Sequence, residues 1–206
     1  DDIDQLINQK KTNYLGYAID NLNKGEKTSR QVIATAISTK AIKCDSHYKV
    51  GIIFDKGSDS WDVINQFFVA VIQHSNENKV KDNQMISYSF VAFGEDATGV
   101  SAFSNNVTVL NTALRNFKYA KETTYNVDKG IDIVKKYFEV GSSFYKQKII
   151  VLFLTVNEIP NIKKSIDDIQ SKGINVIIIT KTEYLSHYEN ILDDTSNILL
   201  FDSFES

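Results

Sequence analysis

The sequence predicts an α/β protein built on a doubly wound, mostly parallel sheet flanked by helices. Three observations predict it. From Tyr48 onward, short apolar runs alternate with amphipathic helical stripes. Two of those runs, Ile149–Leu154 and Val176–Ile179, are apolar on both faces, as strands covered on both sides must be. The stripes between the runs supply the helical crossovers that parallel strands need.

Residues 1–43 contain no convincing strand. Ile3, Leu6, Ile7, Tyr14, Ala18, Ile19 and Leu22 recur near helical spacing until Asn23-Lys24-Gly25 ends the pattern. Thr28 and Gln31 read as a capping box for a second helix carrying Val32, Ile33, Ala36 and Ile37. The chain therefore divides into a helical N-terminal extension, 1–43, and an α/β domain, 44–206. The domain's first strand is Tyr48–Phe54, and a broad stripe of Val63, Ile64, Phe67, Phe68, Val71 and Ile72 follows. Met85–Phe93 is the second strand, with a fainter candidate at Gly99–Phe103. Val127, Ile131, Val134 and Phe138 form the next helical face, ahead of the strand Lys148–Thr155. Ile159, Ile162, Ile166 and Ile169 make another, and Gly173 sits where a glycine ends a helix. The strand Asn175–Thr180, a stripe of Leu185, Tyr188, Ile191 and Leu192, and the strand Asn197–Phe201 complete the pattern.

Composition narrows the function classes. Of 206 residues 42% are hydrophobic and 24% charged, the balance of an ordinary globular chain. A net charge of −3 provides no basic footprint for nucleic acid. No apolar run approaches the ~20 residues of a membrane span. The chain opens at Asp1 without a methionine or a signal-like segment, as expected of a trimmed, processed or partial chain. Cys44 is the sole cysteine, so an internal disulfide and a thiolate metal cluster are both excluded. It reads either as a half-buried small residue or as half of a bridge to a stretch of chain outside this sequence. His47, His74 and His187 fit no ligand spacing and read as structural or surface residues. Asn106-Val107-Thr108 is a glycosylation sequon. A glycine-rich phosphate cradle and a GxSxG elbow are both missing, so nucleotide binding and serine hydrolysis have no support.

Ligands of doubly wound sheets sit at the carboxyl ends of the strands, near the switch in strand order. Asp55, Gly94 and Thr155 fall on that rim. Three pieces can converge there: the loop Asp55-Lys56-Gly57-Ser58-Asp59-Ser60, the run Glu122-Thr123-Thr124, and the run Thr155-Val156-Asn157-Glu158. Magnesium wants near-octahedral oxygen ligands at ~2.0–2.1 Å, with few carboxylates and several waters. Asp55, Ser58, Ser60 and Thr124 are candidates for such a set. Ser58, Asp59 and Ser60 read equally as caps for the helix from Trp61. Asp55 has the stronger case, because a charge ending a buried strand is costly unless paired, hydrogen-bonded or metal-bound.

Tyr48–Ser206 resembles a von Willebrand factor A domain, the module of integrins, matrilins and parasite adhesins. The resemblance rests on the apolar strand ending in Asp55, the threonine loop, Gly130-Ile131-Asp132, the strand Ile149–Thr155, and the closing Asn197-Ile198-Leu199-Leu200-Phe201-Asp202-Ser203-Phe204. It implies a six-stranded sheet with Gly99–Phe103 as a short antiparallel edge, and a metal-ion-dependent adhesion site. The family pattern Asp-x-Ser-x-Ser fits only if one inserted residue brings Ser58 and Ser60 into register. Thr123 and Thr124 compete for the threonine position. The family's Thr-Asp-Gly reads Thr155-Val156-Asn157 here, so one carboxylate is missing. The resemblance then implies no cofactor, or weakly bound Mg²⁺ or Mn²⁺, at a degenerate site. Asp59, Thr123, Asn157 and Glu158 become the ligand-binding rim.

The function this implies is adhesion-type protein binding, without enzyme activity, at the cell surface or outside the cell. The alternative is an intracellular scaffold of the same fold in a multiprotein complex. A phosphatase of the haloacid dehalogenase type ranks last, since Gly57 stands where that chemistry needs a second aspartate.

Overall fold

The computed structural model describes residues 47–57, 61–65, 67–68, 86–140 and 145–201. The segment 1–43, expected to be helical, lies outside the described residues, as do Cys44, Ser58, Asp59, Ser60, Val71, Ile72, His74, Met85 and the run Asp202-Ser203-Phe204.

A six-stranded sheet organises the domain, in the order β3-β2-β1-β4-β5-β6. Its strands are β1 (His47–Asp55), β2 (Ile86–Phe93), β3 (Ala97–Ser104), β4 (Tyr145–Leu154), β5 (Asn175–Lys181) and β6 (Ile198–Phe201). β3 runs antiparallel to β2, and the other neighbours are parallel. β1 and β4 are adjacent, and the order runs outward from them in opposite directions, so the switch point lies between these two strands.

Alternation along the strands sends side chains into two apolar layers. Val50, Ile52, Phe54, Val151 and Phe153 meet Val63, Ile64, Phe67 and Phe68 of the helical residues 61–65 and 67–68, together with Leu110 and Leu114 of α1 (Val107–Asn116). Ile53, Ile150, Leu152, Val176 and Ile178 face the opposite layer. There they meet Val127, Ile131, Val134 and Phe138 of α2 (Val127–Glu139) and Ile162, Ile166 and Ile169 of α3 (Ile162–Ser171). Each helical stripe thus faces one layer, while the two-residue alternation divides each strand between both.

Gly173 ends α3 as expected. At φ 75° it lets its own N–H reach the Gln170 carbonyl at 2.9 Å, while the Ile174 N–H reaches Ile169 at 3.4 Å. This double bond pattern is the Schellman motif. The start of α3 differs from the sequence reading. Ile159 is buried but precedes the helix, because Pro160 disfavours helical backbone before it and Asn161 takes φ 60°. The stripe Leu185–Leu192 also differs. A 3₁₀ turn, Thr182–Tyr184, precedes it, and the stripe itself holds one helical turn, α4 (Leu185–Tyr188), after which Ile191 and Leu192 reach the core from non-helical backbone. Helix α1 has no counterpart in the sequence reading.

Candidate functional site

Asp55 is the last residue of β1 and is fully buried. Its Oδ1 accepts the Gly57 N–H at 2.7 Å and the Thr155 hydroxyl at 2.8 Å. Its Oδ2 accepts the Thr155 N–H at 2.5 Å. Burial pushes this carboxyl up to about 6, and the bonds from Thr155 and Gly57 pull against that rise. The acid therefore closes the seam between β1 and β4 at the switch point, just past the last backbone pairing of Phe54 with Phe153.

Gly57 makes this closure possible. A Cβ there would stand 2.5 Å from Asp55 Oδ1, 2.8 Å from Thr155 Oγ1 and 2.9 Å from a Val156 methyl. The Tyr119 hydroxyl donates to the Gly57 carbonyl, and the Tyr188 hydroxyl donates to the Val156 carbonyl at 2.6 Å. Burial also pushes the Tyr188 phenol up.

Lys56 turns away into a second linkage. Its ammonium donates to Glu122 Oε1 at 2.6 Å and to the Asp96 carbonyl at 3.4 Å, and its side chain is only 9% exposed. Glu122 Oε2 accepts the Glu95 N–H at 2.6 Å. The backbone repeats the connection: Lys56 N–H donates to Phe93, and Glu122 N–H donates to Lys56. Gly94 leaves room for this carboxylate, since a Cβ there would collide with Glu122 Oε2 and crowd its Cδ. The Lys56 ammonium holds the Glu122 carboxyl below the usual range. The Tyr125 hydroxyl, donating to the Glu122 carbonyl at 2.6 Å, is raised by burial and by the charges of Asp55 and Glu122.

The described parts of the three pieces meet through other atoms than the sequence pointed to. Asp55 joins Thr155, and Lys56 joins Glu122. Thr123, Thr124, Asn157 and Glu158 are exposed around them. Ser58, Asp59 and Ser60 are outside the described residues. Sequence reasoning passed over Lys56 as a functional side chain and treated Glu122 only as a flank of the threonines. A lysine directly after a strand-end acid was the available signal.

A model of the von Willebrand factor type A domain matches residues 52–205. The chain belongs to that family. Solved structures share its fold at low identity. The SpRpn10 VWA domain has a TM-score of 0.56 and 13% identity, covering 75% of this chain and 87% of that one. Proximal thread matrix protein 1 from the mussel byssus has a TM-score of 0.58 and 15% identity, covering 79% of this chain and 44% of that one. The D319A mutant of the PilB minor pilin from Streptococcus sanguinis has a TM-score of 0.55 and 11% identity, covering 80% and 59%. No curated protein matches the chain at a significant level. VWA domains are typically interaction modules that bind protein partners. Among the described residues, no helix is long and apolar enough to cross a membrane.

VWA domains often hold a metal at the adhesion site, and one structure of the byssus protein has a zinc occupied MIDAS motif. The described side chains do not fit that role as they stand. Among the described residues, no three His, Cys, Asp or Glu side chains are grouped to hold a metal ion. Asp55 Oδ1 already accepts two hydrogen bonds, which uses both its lone pairs. Both Glu122 oxygens have partners of their own, one of them an ammonium.

Proposed function

We propose that this VWA domain is an adhesion-type protein-binding module that engages its ligand at the C-terminal rim of the sheet. In this reading the metal site is degenerate, and protein side chains make the contacts a metal would otherwise mediate. One observation carries the reading: Asp55 is buried and bonded across the switch point to Thr155, so the crevice where such folds take small ligands is closed. What remains for a partner is the exposed polar surface around it, with Thr123, Thr124, Asn157 and Glu158. The same burial argues against a nucleophilic or acid–base role for Asp55, and so for a module without enzyme activity. Asp59, Ser58 and Ser60 belong to the proposed rim by their place in the chain.

Photo-crosslinking tests this. A crosslinker at Thr123 or Asn157 is expected to capture a protein partner that a crosslinker at Val140, which is 73% exposed, does not. Capture is expected to be unchanged by EDTA. Partners captured only from Val140, or lost on chelation, overturn the reading.

Exposed Asn106 lies in a glycosylation sequon, which favours a cell-surface or extracellular setting. Loss of the family's second carboxylate, where Val156 stands, favours an intracellular scaffold of the same fold. Glycan on Asn106 of the native protein selects the first setting, and an unmodified Asn106 the second.

A further inference from the structure

We propose that the Lys56 ammonium is a resident cation of the rim, cross-linking its loops and keeping divalent metal out. Lys56 follows Asp55 directly, so it stands at the point of the chain where this fold family places its metal loop. Its ammonium reaches Glu122, on the run that carries the threonines, and the Asp96 carbonyl beyond β2. One charged group thereby ties together the ends of β1 and β2 and the approach to α2.

The linkage is built rather than incidental. The Lys56 side chain is nearly buried, its backbone bonds both Phe93 and Glu122, and Gly94 leaves the volume that the Glu122 carboxylate fills. A part-buried, charge-assisted contact of this kind is worth more than an exposed ion pair, and removing one partner leaves the other without its bond. Charge balance then works against a metal. A divalent cation approaching Glu122 must displace the ammonium and accept its repulsion at short range. Asp55 is the poorer ligand of the two, because its Oδ1 is saturated, its Oδ2 already accepts the Thr155 N–H, and Thr155 and Gly57 hold it inward. The carboxylate the rim would need is already neutralised from within.

Protein capture at the rim and metal exclusion by Lys56 stand or fall separately, since the second is read on the isolated protein. Two measurements on the full chain decide it: electron paramagnetic resonance of added Mn²⁺, and melting temperature with Mn²⁺ or with EDTA. The wild-type protein is expected to leave Mn²⁺ free and to melt at the same temperature in both. Lys56→Met, which keeps the stem and removes the charge, is expected to melt lower in EDTA and to bind Mn²⁺. At ten times its Kd, Mn²⁺ should then raise the melting temperature by roughly 3–6 °C. Lys56→Met/Glu122→Gln is expected to lose that response, and Lys56→Arg to behave as wild type. Mn²⁺ bound by the wild-type protein overturns the proposal and needs no variant to be seen. A folded Lys56→Met protein indifferent to Mn²⁺ overturns it too.

Discussion

Asp55 and Thr155, 100 residues apart in the chain, meet at the switch point of the sheet, where Thr155 donates both its N–H and its hydroxyl to the Asp55 carboxylate. The contact is an inward-facing tie, made by a residue that the sequence offers as a candidate metal ligand. A strand-end carboxylate can satisfy its charge with a metal or with fixed donors, and here neighbouring donors do so. The partner surface proposed above is the layer over this tie.

The tie should be measurable as a coupling energy. Asp55→Ala removes the acceptor of three hydrogen bonds and leaves the Gly57 and Thr155 donors in a buried site. A loss of roughly 3–5 kcal/mol is expected in urea denaturation. Thr155→Val removes only the hydroxyl, and should cost roughly 1–2 kcal/mol. In the double variant the valine change should cost much less than it does alone. Strict additivity would mean that the two side chains do not act as a unit.

Acidity gives an independent handle. An aspartate in an unfolded chain titrates near ~3.9, whereas burial raises Asp55 to about 6 in the fold. Between those values the folded state holds more protons than the unfolded one. The stability due to Asp55 is therefore fully present below about pH 4 and is lost as pH rises through about pH 6. Comparing wild type with Asp55→Asn by urea denaturation cancels the other carboxylates. The wild type is expected to lose ground to the variant by on the order of 2–3 kcal/mol between pH 4 and pH 7. A difference that is flat, or grows with pH, would contradict the inward placement of the charge.

Much of the fold is legible where a face repeats. β4 and β5 stand out because both their faces are buried, and α2 because Val127, Ile131, Val134 and Phe138 keep one stripe. β3 is fainter because it is an edge strand in which every residue is half-exposed or exposed. Helix α1 escapes notice because only Leu110 and Leu114 are buried, Val109 is exposed, and its Val-Thr-Val opening looks strand-like. At the site, the rule of strand ends locates Asp55 and Thr155 correctly. The direction of the Asp55 side chain depends on donors from Thr155, just past β4, and on the bare Cα of Gly57, and local sequence carries neither. The Lys56–Glu122 pair spans 66 positions and has no local pattern at all.

Gly57 is the residue on which the closure can be broken without touching a charge. Alanine places a methyl within 2.9 Å of Asp55, Thr155 and Val156 atoms, two of which are locked in a mutual hydrogen bond. The loop is not free to slide aside, because the Gly57 carbonyl accepts the Tyr119 hydroxyl. Gly57→Ala is therefore expected to cost roughly 2–3 kcal/mol in urea denaturation, within the range of overpacked cores. It should also shift the Asp55 carboxyl resonance in ¹³C spectra. A neutral outcome on both would show that the donors around Asp55 can rearrange.

Asn106 makes the last prediction, because its structural job is separable from any glycan. Its side-chain oxygen accepts the N–H groups of Thr108 at 2.9 Å and Val109 at 3.3 Å, so it caps α1. Those two donors have no partner within the helix, and a capping side chain is what satisfies them. Asn106→Ala should cost about 1 kcal/mol, and Asn106→Asp, which restores the acceptor and places a negative charge at the helix start, should recover it. Because Asn106→Asp also abolishes the sequon, the pair of variants separates the two roles. Thermal denaturation of unglycosylated protein reads the cap alone. If Asn106→Ala is neutral there, the first turn of α1 draws its stability from Leu110 and Leu114 packing rather than from the cap.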